Sequence, residues 1–347
     1  MVRLTRRQFA NLPVAALATG AASLALPAFA QPASSQLTRS IPSTGEPLPP
    51  VGLGTAEVFD TADTATLQKA SAVLRALIDN GGKLIDTAST YGDAERILGD
   101  VIGPAGLRSR FFIATKLESP DVEELKRSLN RLQTAKLDLL QLHNVRNPLQ
   151  SLGAFRDWKT QGVCRYVGIT STSHGAFAAV ESILGREKPD FVQIDYSIDD
   201  REAERRILPL AAEVRAGVLT AVPFGRGRLF RAVRERPLPD WAQGFAGSWA
   251  QFFLKYLLGD PRVTAVIPGT ADAAHMTDNL GAMRGPLPDP ISGGRWCNSW
   301  RRCRPLDSRS PRQKMRKPQD VSCGFPFRPL QGGEPAGARI RCDLEIG

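Results

Sequence analysis

The chain has 347 residues, 42% hydrophobic and 23% charged, which is ample for a sizeable core and excludes a disordered or fibrous polymer. Its net charge of +10 is uneven: residues 1–30 hold three Arg and no acid, residues 287–347 hold twelve basic against six acidic residues, and subtracting both leaves +1 for the body. A nearly neutral body lacks the basic face that nucleic-acid binding requires, and with four of the five cysteines in the tail, leaving only Cys164 in the body, the core does not depend on disulfides.

The first thirty residues read as an address. TRRQF at Thr5 to Phe9 carries paired arginines, Leu12 to Leu26 is apolar and alanine-rich, and Ala28, Phe29 and Ala30 form a small-residue cleavage site before Gln31. The apolar run falls short of the roughly 20 residues of a spanning helix, so no stable membrane span is expected. The pattern resembles a twin-arginine export signal. That resemblance implies a bacterial protein carried folded by the twin-arginine machinery and exported to the periplasm; an uncleaved amphipathic anchor is the plainer alternative. Residues 31–38 read as a linker.

From Arg39, the turn residues STGE separate two short extended pieces, as in a small hairpin, and VGLG follows as a first strand. Ala65 to Asn80 has Leu67, Ala70, Val73, Leu74, Leu77 and Ile78 at helical spacing and stops at Gly81 and Gly82. KLID, ending on Asp86, is the second strand, and it runs through Tyr91 and Gly92 into a helical segment. FFIATK then ends on Lys116 before a helix over Asp121 to Ala135, and LDLLQLH ends on His143 before a helix over Leu149 to Gln161. CRYVGIT precedes Gly175 to Leu184, and FVQIDYS a helix near Arg201 to Val214. GVLTAVP leads to an amphipathic region reaching Leu258, and VTAVIPG to Ala273 to Met283. Eight strand candidates alternating with eight helical stretches over about 250 residues predict an α/β fold, a parallel (β/α)8 TIM barrel over residues 39–286. A doubly wound sheet would need a glycine-rich phosphate loop opening a helix, which neither VGLGTA nor the later GRGR supplies.

Successive strand ends therefore deliver Asp86, Tyr91, Lys116 and His143 to one rim, where enzyme barrels keep their chemistry. Reducing a carbonyl needs a hydride donor at carbon and a proton donor at oxygen. A free tyrosine, with a pKa near ~10, is a weak acid for that task. A neighbouring ammonium lowers this value, and a carboxylate keeps the ammonium charged and oriented, so Lys116 and Asp86 are expected to make the Tyr91 phenol more acidic. His143 could then donate to the substrate oxygen. Taken singly, each residue has a dull reading: a helix cap, a half-buried aromatic, a solvated strand end, a core imidazole. The combination at three consecutive strand ends does not.

With DTASTYG at Asp86 to Gly92, a lysine after strand three at Lys116 and QLHN around His143, the chain resembles the aldo-keto reductases over roughly Arg39 to Pro286. The resemblance implies a (β/α)8 barrel reducing small aldehydes or ketones with NADPH, less often NADH, bound without a Rossmann domain and without a metal. It makes Tyr91 the general acid, Lys116 and Asp86 its tuning pair and His143 the residue that orients the carbonyl. Ser171 in GITST and Gln193 match positions that hold the nicotinamide. Pro223 and Gly225 lie in a pyrophosphate-loop-like PFGRG, and Gly269, Thr270 and Asn279 in a segment that resembles the adenosine-phosphate site. Gly269 and His275 replace the Lys and Arg that often grip the 2′-phosphate, leaving Arg226, Arg228 or Arg231 to compensate. His174 matches no motif and reads as structural. A non-catalytic nucleotide-binding barrel serving as a redox-responsive partner subunit is the competing function, and an inactive product of a damaged gene is a third.

Residues 287–347, rich in Arg, Pro, Ser, Cys and Gly, show neither helical nor strand period. They read as a frameshifted end in place of the family's usual helix and specificity loop, or else as an extension pairing Cys297, Cys303, Cys323 and Cys342.

Overall fold

The structure, a computed structural model, describes residues 36–288. The expected signal segment and cysteine-rich tail, beyond Leu287 and Pro288, lie outside the described residues. An antiparallel hairpin of β1 (Arg39–Ser40) and β2 (Pro47–Leu48) precedes eight parallel strands. These are β3 (Leu53–Gly54), β4 (Leu84–Asp86), β5 (Phe112–Leu117), β6 (Leu137–Leu142), β7 (Cys164–Ser171), β8 (Phe191–Asp195), β9 (Gly217–Ala221) and β10 (Val263–Val266). They pair in chain order, and the sheet closes on itself. Val51 bridges Val266, Gly54 bridges Gly269, and Gly52 N–H donates to Val266 O at 2.9 Å.

The helices are α1 (Thr64–Asp79), α2 (Ala94–Ile102), α3 (Val122–Arg131), α4 (Gly153–Thr160), α5 (Phe177–Glu187), α6 (Ile207–Glu213), α7 (Arg228–Ala232), α8 (Trp249–Leu258) and α9 (Ala273–Gly281). The described residues thus hold nine α-helices where eight stretches were expected. The region after β9 breaks in two because Pro237 and Pro239 cannot continue a helix. α3 likewise ends before the expected Ala135, since Gln133 turns to φ 49°.

Neighbouring residues of a strand face opposite sides, so each strand sorts its side chains between the barrel interior and the helices. Leu84, Phe112, Leu139, Tyr166, Phe191 and Leu219 form the interior cluster with Ile41 and Leu48 of the hairpin. Ile85, Ile113, Leu140, Val167, Val192 and Val218 join the outer core, packed with Ala70, Val73, Leu74 and Leu77 of α1. Toward the C-terminal strand ends the interior positions turn polar. Asp86 stands two residues beyond Leu84, Lys116 two beyond Ala114, Gln141 two beyond Leu139, and Gln193 two beyond Phe191; all four are buried. An apolar plug on one side and a polar layer on the other thus come from a single alternation.

Candidate active site

Lys116 is 1% exposed, and its Nζ lies 2.7 Å from Asp86 Oδ2 and 2.7 Å from Thr87 O. A buried ammonium needs such partners to stay charged. The Asp86 carboxylate and the other contacts outweigh burial and hold its pKa above the ordinary lysine value. Tyr91 sits in the turn from β4 to α2, with Lys116 Nζ 4.8 Å from its ring centre. That turn requires Gly92: its φ is 48°, and a Cβ there would come 2.8 Å from Asp60 O. His143 follows β6 and meets the Tyr91 ring edge-on at 5.7 Å. Its Nδ1 lies 2.6 Å from Glu118 Oε1, close enough for a hydrogen bond but without the alignment of one. The four residues expected at one rim are together.

Their electrostatics differ from the expectation in one respect. Burial raises the Tyr91 pKa by more than the Lys116 charge lowers it, and Asp86 adds to the rise, so the phenol is a weaker acid than free tyrosine. The expected acidification fails because burial of the ring favours the neutral phenol by more than the Lys116 charge favours the phenolate. His143 is pushed down to about 3, by burial first and the Lys116 charge second, and is therefore a neutral imidazole.

A cavity of about 700 Å³ opens over these groups, reaching from Tyr91 and His143 past Thr170, Thr172 and Gln193 to Pro223, Arg226 and Gly269. Of the residues matched to a cofactor site, Gln193, Pro223 and Gly269 line it. Ser171, Gly225, Thr270 and Asn279 are not among its lining residues. Ser171 lies on the opposite face of β7 from Thr170, as alternation requires. Thr270 Oγ1 accepts from Asp272 N, and Asn279 is buried in α9. Arg228 is committed to Asp199 at 2.7 and 3.0 Å, while Arg226 faces Glu57 across the cavity at 3.5 Å.

The loop after β9 fits a nicotinamide dinucleotide. Val222, Gly225, Arg226 and Gly227 have φ between 51° and 76°, a run of left-handed residues of the kind that turns backbone N–H groups toward an anion. A β-branched residue such as Val222 is costly in that conformation, by roughly 1–2 kcal/mol. At the cavity floor, the buried Asp86 Oδ1 has no partner within the protein.

A model of the aldo/keto reductase family matches residues 50–290. The chain belongs to that family. This aldo/keto reductase is 31% identical over 214 residues to aldo-keto reductase YhdN of Bacillus subtilis (strain 168), covering 55% of the present chain and 62% of the relative's length. It is 27% identical to methylglyoxal reductase YeaE of Escherichia coli (strain K12), covering 68% and 86%. The crystal structure of an aldo-keto reductase from Klebsiella pneumoniae in complex with NADPH superposes with a TM-score of 0.64 at 26% identity, over 81% of this chain and 99% of that one.

Two features of this reductase escaped the sequence reading. His174, read as structural, stands after β7 with Nε2 3.0 Å from Asp200 Oδ1 and 3.3 Å from Asp195 Oδ2, the one group among the described residues with metal-ligand spacing. Gln141 joins the polar layer, donating from Nε2 to Gln193 Oε1 at 2.9 Å. Its place two residues before His143 was the available signal.

Proposed function

We propose that the protein reduces small aldehydes or ketones to alcohols, with Tyr91 as the proton donor and NADPH as the preferred hydride source. The single observation that carries this reading is the convergence of Tyr91, Lys116, Asp86 and His143 on one cavity. The cofactor, when bound, supplies a hydride to the carbonyl carbon. The protein's own residues do the rest. Gln193 and the loop from Val222 to Gly227 hold the cofactor, the loop taking its anionic part and Arg226 adding a positive charge. His143, neutral, donates a hydrogen bond to the carbonyl oxygen and orients it. Tyr91 gives that oxygen its phenolic proton as negative charge develops, and the Lys116 ammonium steadies the phenolate left behind.

Proton transfer requires that the phenol keep its proton until the carbonyl oxygen takes it. A raised Tyr91 pKa serves that state, since the donor is fully protonated at neutral pH. Methylglyoxal, the substrate in the name of one relative, is the first carbonyl to try. Replacing Tyr91 by Phe should lower kcat by about 10²–10⁴-fold while a fluorescence titration with NADPH stays unchanged. Undiminished turnover would refute the assignment. Running NADH beside NADPH tests the preference, and tighter binding or faster turnover with NADH would refute it.

Residues 1–30 are read as a twin-arginine signal that brings the protein to the periplasm, supported by Arg6 and Arg7, the apolar run and the cleavage-site residues. Cell fractionation should find a mature form starting at Gln31, and Arg6→Lys with Arg7→Lys should hold the precursor in the cytoplasm. A periplasmic product from that double variant would sink the export reading.

A further inference from the structure

Gln141 has no part in the chemistry above, yet it is fully buried with its amide turned toward that site. It lies on β6 beside Gly168 of β7. Gly168 keeps the interior face of β7 open: a Cβ there would stand 3.0 Å from Gln141 Cγ and 3.1 Å from Phe191 O. Through this gap Gln141 reaches across one whole strand to β8 and donates to Gln193 Oε1 at 2.9 Å. With its oxygen so engaged, Gln193 directs Nε2 at Asp86 Oδ2, 3.1 Å away. That is the same oxygen that accepts from Lys116 at 2.7 Å.

We propose that Gln141 is a positioning residue for the proton donor: by fixing the amide of Gln193 through the gap at Gly168, it gives Asp86 a second donor and limits how tightly Asp86 holds Lys116. The inference rests on the reading of Tyr91 as the acid. An oxygen shared between two donors pulls less on each, so more of the Lys116 charge remains to act on Tyr91. Four polar or charged groups face that phenol: Lys116 from β5, Asp86 from β4, His143 from beyond β6 and Arg226 from the loop after β9. His143 is neutral and Arg226 is turned to Glu57, so among these groups Lys116 acts most strongly on the phenol, second only to burial. Without Gln141 the Gln193 amide is released, Asp86 draws fully on Lys116, and Tyr91 holds its proton harder.

The test compares Gln141→Met, of similar length and no donor, and Gln141→Glu with the native full chain. Ultraviolet titration of tyrosine ionisation needs no cofactor, and the Tyr91 signal is the difference from the same protein carrying Tyr91→Phe. In Gln141→Met the Tyr91 midpoint should move up by about half a pH unit or more. Its kcat with NADPH should fall by about three- to tenfold with KM for the carbonyl nearly unchanged, and the alkaline fall of activity should shift up with the midpoint. Gln141→Glu should regain activity as the pH is lowered, because its neutral acid has an O–H to offer Gln193. Should Gln141→Met not fold, that second variant carries the comparison. Equal Tyr91 midpoints in native and variant proteins, whatever happens to thermal stability, overturn the proposal. If the native protein reduces no carbonyl, the reading of the site falls, while the titration still decides separately whether Gln141 acts on Tyr91.

Discussion

Lys116 and Asp86 meet at 2.7 Å with side chains 1% and 5% exposed. Desolvating two ions costs several kcal/mol each, and only good geometry with further hydrogen bonds offsets it; Thr87 O and Gln193 Nε2 supply those bonds here. Removing one ion strands the other. Lys116→Met should therefore lose about 3–5 kcal/mol of stability in chemical denaturation near neutral pH, and most of it should return in the double variant with Asp86→Asn. His143 makes a different prediction. Its folded pKa, about 3, lies below the 6.5 of an exposed imidazole. Between those values the unfolded chain binds a proton that the folded chain refuses, so stability present above pH 6.5 is lost as the pH falls toward 3. The slope is at most about 1.4 kcal/mol per pH unit. Native protein should lose stability over this window more steeply than His143→Asn, and parallel curves would show that the imidazole is not buried neutral.

Among the elements, α8 and α9 show how local signals hold a barrel's outer ring. Ser248 caps α8, its Oγ accepting from Gln251 N at 3.1 Å, and the same hydroxyl donates to Asp278 Oδ2 of α9 at 2.7 Å. Gln251 adds a second bond to Asp278 at 2.7 Å. Ser248→Ala should cost about 1–2 kcal/mol in thermal or urea unfolding and leave kcat/KM unchanged, since the cap does not line the cavity. The strands teach a complementary lesson. FFIATK and LDLLQLH are buried on both faces and so read as continuous apolar runs. Their ends on Lys116 and His143 stand out because polar residues there interrupt the run. Gln141 lies inside it and reveals its partner only when β6, β7 and β8 are set side by side.

For the molecule as a whole, the two mouths of the barrel do separate work. Tyr91 and His143 stand past the C-terminal strand ends, while at the N-terminal ends Asp138 accepts from Ile113 N at 2.9 Å, Arg108 at 2.8 Å and Arg165 at 2.9 Å. Arg165 also meets Glu46 of the hairpin, whose carboxylate accepts from Tyr166 at 2.7 Å, so one network ties the plug to three strands. Asp138→Asn should reduce stability by about 2–3 kcal/mol, the scale of losing charge-assisted hydrogen bonds at a nearly buried acceptor. Catalysis should survive it at temperatures where the protein stays folded. A loss of kcat without a loss of stability would contradict this division between the ends.

The sequence by itself determined the eight strands, the hairpin and the positions of Asp86, Tyr91, Lys116 and His143, because each depends on contacts or periods within a few residues of the chain. The split of the region after β9 was not read in advance, although Pro237 and Pro239 mark it. Tertiary structure alone decided the rest. Whether Tyr91 becomes more or less acidic depends on how much water is removed around it as well as on which charges stand near. Which residues line the cavity depends on strand alternation, which admits Thr170 and turns Ser171 away. The link from Gln141 through Gln193 to Asp86 joins residues 52 and 107 positions apart. The side-by-side order of β6 to β8 and closure of the sheet bring such distant side chains within hydrogen-bonding reach.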